Sequence, residues 1–375
     1  MLQRVDKSIL LVVLFLLGLG LIQVYSSSYI YAIERFHDGF YFFKKQLLFV
    51  GLGIVVLFST FLLPWRWLKI LGWGLWILSF LGVLMTLVSP LGVKVGGAQR
   101  WLQFPYGWRL QPSEFLKVSY PFVLLWYFSL KDKNSSLLSQ GGLVVLLACP
   151  LVLLLKQPDF GSVVIISVSI FLVLFAFDLS WKYVWGTLIG MSALFFVFII
   201  SAPYRLSRLM TFLDPWSDPS KKGFQVIQSM LSFHSGELTG KGLGMGQGKL
   251  FFLPEAHNDF ILAVLGEELG FVGFFIVVLF FGFLFFKGLQ VVLRSEQRVF
   301  QVVGLGSVVS LALSTFVNMG VVLGLLPTKG LALPFLSYGG SALISACFSI
   351  GVLLNIEKET RRSSLKVRRR FIRVN

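Results

Sequence analysis

Apolar runs recur along this chain at about 8–27, 46–63, 68–89, 114–130, 141–155, 161–178, 181–202, 260–286, 300–324 and 335–356. A helix needs about 20 apolar residues to cross a bilayer core. In lipid every backbone polar group must be satisfied internally, which leaves helices or a closed barrel. The alternation that marks a membrane barrel is absent, so the runs read as helices, the fourth being the least apolar. Composition agrees, because 13% of the residues are charged and 56% are hydrophobic, against about 25% charged in a soluble domain. A soluble enzyme, a disordered chain and a collagen-like fibre are excluded. The expected fold class is all-α, a polytopic membrane protein with about ten transmembrane helices.

The formal charge is +16, and residues 357–375 hold eight Lys or Arg against two Glu, directly after the last apolar run. A basic segment there fits the positive-inside rule and attraction to anionic lipid, which predicts both termini cytoplasmic. Nucleic acid is not an expected partner, since no folded basic surface with base-reading or stacking groups is visible. The first run, preceded by Arg4, Asp6 and Lys7, is longer than the apolar core of a signal peptide and reads as an uncleaved span. Cys149 and Cys347 lie far apart inside apolar runs and form neither a disulfide framework nor a metal site. The organisation expected is one membrane domain over 1–356 and a basic cytoplasmic tail over 357–375. Two outer connections are long: Leu91 to Ser113, and the large extracytoplasmic loop 203–258 between helices 7 and 8. Loops of that length are usually functional.

The polar residues cluster on that outer face. Glu114 and Lys117 are three apart on a helix that begins near Pro112 and Ser113, so they share one face. They are either a structural ion pair or a polar wall that offers Lys117, with Arg100, to an anion. Asp159, in Gln157-Pro158-Asp159, either caps the helix starting near Gly161 or serves the site. In the long loop, Arg205 and Arg208 are three apart, and Phe224 to Phe233 has helical spacing. The glycines at 240, 242, 244, 246 and 248 suit either a backbone N–H nest for a ligand or a hinge. Asp259 stands where this loop enters an apolar helix containing Gly266-Glu267-Glu268-Leu269-Gly270, either as the amino-terminal cap of that helix or facing a polar cavity. Glu267 and Glu268 point about 100° apart, so they face different partners, either as halves of structural pairs or toward a polar cavity. Gly266, Gly270 and Gly273 suit close helix packing. Lys329 lies between prolines, and the last span opens with Ser337, Tyr338, two glycines and Ser341.

In these motifs the chain resembles the SEDS family (shape, elongation, division and sporulation) over nearly its whole length. The residues that carry the resemblance are Gly97-Ala98-Gln99-Arg100-Trp101, Gln111-Pro112-Ser113-Glu114 with Lys117, Gln157-Pro158-Asp159, Tyr204 through Pro219, Leu253 through Phe260, Gly266 through Gly270, and Leu326 through Ser341. The spellings Pro254-Glu255-Ala256-His257 and Leu326-Pro327-Thr328-Lys329-Gly330 resemble the division branch, FtsW, more than the elongation branch, RodA. Asn258, Gln99 and Ala342 depart from the usual residues. The resemblance implies polymerisation of lipid II, a disaccharide-pentapeptide on undecaprenyl pyrophosphate. It implies Asp259 as general base, and Arg100, Lys117, Arg205 and Lys329 around the pyrophosphate, with Glu114 orienting Lys117. Asp159, Glu255, His257, Glu267, Glu268 and Ser337 are supporting residues, His257 ordering the loop. A divalent cation (Mg or Mn) bridging Asp259 and the pyrophosphate is an expected cofactor, and no organic cofactor is. Expected partners are a class B penicillin-binding protein transpeptidase and other divisome proteins, at the septal cytoplasmic membrane of a bacterium. A lipid II flippase and a non-catalytic scaffold are the competing functions.

Overall fold

The computed structural model describes residues 6–95, 97–131, 137–177, 185–186, 210–219, 223–248, 256–328 and 330–374. The helices are α1 (Lys7–Phe36), α2 (Tyr41–Leu62), α3 (Trp65–Val88), α4 (Pro112–Lys131), α5 (Leu137–Lys156), α6 (Phe160–Phe177), α7 (Phe224–Gly236), α8 (Ile261–Leu293), α9 (Arg298–Val322) and α10 (Gly340–Val374). Among the described residues, seven are long and apolar enough to cross a membrane: α1, α2, α3, α6, α8, α9 and the first 24 residues of α10. Helices α4 and α5, 20 residues each, occupy the fourth and fifth apolar runs. The seventh run, 181–202, lies outside the described residues except at 185–186, as does much of the loop 203–258. The protein is a multi-pass membrane protein.

Helix α10 is the centre of the bundle, with 83% of its apolar window inside the protein against 22% for α8. Small residues let its neighbours approach it, the membrane substitute for hydrophobic driving force. A Cβ on Gly53 of α2 would lie 2.7 Å from Leu343 and 2.9 Å from the Cys347 sulfur, so Cys347 is a packing residue, whereas Cys149 is exposed on α5. At the other end of the same contact, Asn355 Nδ2 donates to the carbonyls of Thr60 (2.9 Å), Phe61 (3.0 Å) and Leu63 (2.7 Å). These are the last carbonyls of α2, which a helix cannot satisfy by itself. Asn355→Ala is expected to cost about 1–3 kcal/mol, the penalty for buried polar groups left unpaired, read as a lowered Tm in detergent.

The chain ends of the bundle meet on one face. The Asp6 N–H donates to both carboxylate oxygens of Glu357 (3.1 and 3.0 Å), while the Asp6 carboxylate pairs with Lys287 of α8 at 2.9 Å. The Asp6 carboxyl is held down to about 2, first by the Ser8 hydroxyl and also by Lys287. The start of α1 and residue 357 therefore lie on the same side of the membrane.

One outer connection is not a plain loop. Residues 92–95, 98–103 and 109–110 form strands β1 (Gly92–Val95), β2 (Ala98–Gln103) and β3 (Arg109–Leu110) of an antiparallel sheet. Valines at 93 and 95 favour strand, and Gly97, at φ 80°, supplies the tight turn between β1 and β2. Pairing runs Val93 to Trp101 and then Lys94 to Gln99, so Arg100 has no partner across the ladder. It is a bulge residue, and bulges re-aim side chains.

Candidate active site

The bulge turns Arg100 toward the turn between α5 and α6. Its Nη2 donates to the Pro158 carbonyl, and its Nη1 lies 3.9 Å from Asp159 Oδ1. Asp159 is buried and also accepts from the Ser113 hydroxyl at 2.9 Å and, at 3.4 Å, from the Ser162 N–H. Capping and site-building are thus the same act: Asp159 closes the first turn of α6 while joining β2 and the start of α4. Arg100 is still 19% exposed, and its Nε is buried with no hydrogen-bond partner among the described residues.

Asp259 belongs to this cluster. It is not the cap of α8, whose N-cap position is Phe260. A Cβ placed on Gly330 would lie 3.1 Å from Asp259 Oδ2 and 3.8 Å from Arg100 Nη1. The carboxylate and the guanidinium therefore converge on the Gly330 backbone, where no side chain fits without moving one of them. Asn318 of α9 holds the same corner: its Nδ2 donates to the carbonyls of Asp259 (2.9 Å) and Leu331 (2.6 Å). A carboxylate and a guanidinium thus approach one glycine where β2, the entry to α8, α9 and the stretch before α10 come together.

Glu114 and Lys117 pair at 2.8 Å with both side chains buried. With Ser310, Ser314 and Ser345 they line a cavity of about 20 Å³, room for a water molecule. Lys117 is committed to Glu114, one turn along α4 from Ser113. The structural ion pair is what the structure shows, and Arg100 is not among the residues lining this cavity. His257 is enclosed by the rings of Phe42, Tyr31 and Tyr338, at 4.6, 5.7 and 5.8 Å between centroids. Its carbonyl accepts from the Tyr338 N–H at 3.0 Å, which ties the Asp259 segment to the turn before α10. Ser337 shapes that turn, its hydroxyl accepting from the Leu333 N–H at 2.8 Å. Arg205, Glu255 and Lys329 lie outside the described residues.

Glu267 and Glu268 sit on the part of α8 that follows Asp259 and bind different partners, as their angular offset requires. Glu267 accepts from Lys241 Nζ at 2.9 Å and from the Gln247 and Gly248 N–H groups at 2.8 and 2.9 Å. Glu268 accepts from the Ser26 hydroxyl of α1 at 2.5 Å. The glycine run does bring backbone N–H groups to an anion, and that anion is the protein's own carboxylate. The small-residue stripe is corrected in part. Gly270 has φ 68° and ψ −170°, which breaks α8 there. The carbonyls and N–H groups freed by the break pair with the segment after α7: Lys241 and Gly242 donate to Glu267 and Glu268, while Phe271 and Val272 donate to Glu237 and Leu238.

Sequence reading missed Asn318, Ser113 as the donor to Asp159, and Gly330 as the point of approach. The signal for Asn318 was an amide deep inside an apolar run, which is costly in lipid unless paired.

A family model described as cell cycle protein, covering FtsW, RodA and SpoVE, matches residues 7–362. The chain is 40% identical to the "Probable peptidoglycan glycosyltransferase FtsW" of Geobacter metallireducens, across 94% of this chain and 95% of the relative. It is 36% identical to the "Stage V sporulation protein E" of Bacillus subtilis, across 95% and 98%. Among solved structures it is similar to a peptidoglycan synthase complex described as coordinating polymerization and crosslinking (TM-score 0.75, 26% identity, 95% of this chain and 98% of that one). It is also similar to the rod shape determining protein RodA of Thermus thermophilus (TM-score 0.68, 25% identity, 95% and 97%).

Proposed function

This chain belongs to the FtsW, RodA and SpoVE family of cell cycle proteins, and on that premise we propose that it is a peptidoglycan glycosyltransferase of the FtsW type. Its substrate is lipid II, polymerised at the outer face of the cytoplasmic membrane during septal wall synthesis, with both termini inside. The observation that carries the reading is the convergence of Asp259 and Arg100 on Gly330. Glycosyl transfer needs a base beside the acceptor hydroxyl and cations beside the departing pyrophosphate, and these are the two groups that meet.

In the reaction the acceptor's sugar oxygen bonds to the donor's anomeric carbon as the bond from that carbon to the pyrophosphate breaks. Asp259 takes the hydroxyl proton, and the electron pair leaves on the pyrophosphate, whose growing charge Arg100 stabilises together with Arg205 and Lys329. Asp159, fixed by Ser113, orients Arg100; Glu114 fixes Lys117 deeper in the same wall. Among the described residues no three acidic, His or Cys side chains form a metal cage. Asp259 is the residue that would hold a divalent cation here, and the cation would supply charge neutralisation for the leaving group. A class B transpeptidase is the proposed partner, and similarity to a synthase complex that polymerises and crosslinks supports it.

The test is glycan-chain formation from purified lipid II by the protein co-purified with that partner. Polymer is expected. No polymer, with lipid II crossing vesicles that carry the protein, would replace this reading with transport. In the same assay Arg100→Lys is expected to lower kcat/KM roughly 10–100-fold, because a lysine keeps the charge and loses the guanidinium fork, at about 1.5–3 kcal/mol per charged hydrogen bond.

A further inference from the structure

We propose that Asn318 is a positioning residue for glycosyl transfer, setting the place of the Asp259 carboxylate through the Asp259 backbone. The inference rests on the polymerase reading above. Asn318 lies in the last turns of α9 and is 2% exposed. Both protons of its amide nitrogen are used, one on the Asp259 carbonyl (2.9 Å) and one on the Leu331 carbonyl (2.6 Å). These acceptors come from two irregular segments, the entry to α8 and the stretch between α9 and α10, with Gly330 next to Leu331. The Asp259 carboxylate lies 3.1 Å from where a Cβ on Gly330 would stand, and one side chain holds the backbone of residue 259 and of residue 331 beside that glycine. Leu331 extends the hold, since its side chain packs on Gly161 of α6, at 3.1 Å from where a Cβ there would lie. The line runs from α9 through Asp259 and Gly330 to the turn that receives Arg100.

Two features favour donation as the purpose of this residue. Its Oδ1 is buried without a partner, so the acceptor half of the amide is not what the site uses. An amide is also the short side chain that presents two N–H groups from one atom. Aspartate has the same shape and, when ionised, only accepts, so it would face two carbonyls with oxygen.

The test compares wild type, Asn318→Ala, Asn318→Asp and Asn318→Ser, each co-purified with the transpeptidase partner. Lipid II concentration is varied, and Tm and partner binding are measured on the same samples. A shift of about 1 Å in a reacting group costs on the order of 100-fold in rate. Asn318→Ala and Asn318→Asp are therefore expected to lose roughly 10–100-fold in kcat while KM stays within about threefold. Asn318→Ser, which keeps one donor, is expected between them and wild type. Wild-type kcat in Asn318→Ala overturns the proposal. So does a loss of activity that follows Tm and KM together in all three variants, which is what a merely structural amide would give. An inactive wild type that translocates lipid II overturns the polymerase reading and this one with it, whereas an active wild type with indifferent Asn318 variants sinks this one alone.

Discussion

Asp259→Ala is expected to reduce polymer formation from lipid II by roughly 10²–10⁴-fold, the usual contribution of a general base, without unfolding the protein. The fold should survive because Phe260, not Asp259, occupies the N-cap of α8, and because Asn318 holds the backbone carbonyl of residue 259, which the substitution keeps. Asp259→Asn is the sharper control. It retains the shape against Gly330 and removes the ability to accept a proton. Both variants are expected to bind the transpeptidase partner as wild type does and to melt within a few degrees of it. Polymer at the wild-type rate from Asp259→Asn would remove this residue from the chemistry. A loss in Asp259→Ala that Asp259→Asn did not share would mean that the carboxylate acts by shape or hydrogen bonding and not as a base.

Glu267→Ala is expected to be destabilising by about 1–3 kcal/mol, the cost of leaving hydrogen-bonding groups without their partner. The carboxylate is 2% exposed and serves Lys241 and two backbone N–H groups. Its removal leaves both N–H groups without this acceptor beside a helix break that depends on the same segment, while Lys241, 34% exposed, turns to water. Glu267→Gln keeps an acceptor and loses the charge, so a smaller cost is expected. Thermal unfolding in detergent measures both, and limited proteolysis between residues 240 and 248 reports whether the glycine segment detaches first. Equal stability of Glu267→Ala and wild type would show that the segment is held by the Gly270 backbone bonds alone.

The two predictions differ in how much of their basis is visible in the chain. Asp259 stands out as a carboxylate at the head of an apolar helix, and family resemblance gives it a role. Glu267 stands out as an acid inside a span, with a structural pair as one of its readings. Its partner, Lys241, is 26 residues away across a glycine run that is equally compatible with a nest or a hinge. Periodicity places side chains on the faces of one element and says nothing about which face of another element they meet. The three-stranded sheet escaped notice for a related reason: its strands are two to six residues long, too short to display a period.

By itself the sequence determined that the chain is a helical membrane protein, where the long apolar helices among its described residues run, that its polar residues gather in a few connections, and which family it joins. These follow from lipid, which demands long apolar helices whatever they pack against, and from motifs that are local in the chain. Only the tertiary structure decided which polar groups meet. Arg100 reaches Pro158 across 58 positions, Ser113 reaches Asp159 across 46, and Asn318 reaches Asp259 across 59. Such pairings depend on the order in which helices surround α10 and on a bulge and a broken helix that turn side chains away from their regular directions. A buried polar group announces in the sequence that it needs a partner, and the packing of the bundle chooses which one it gets.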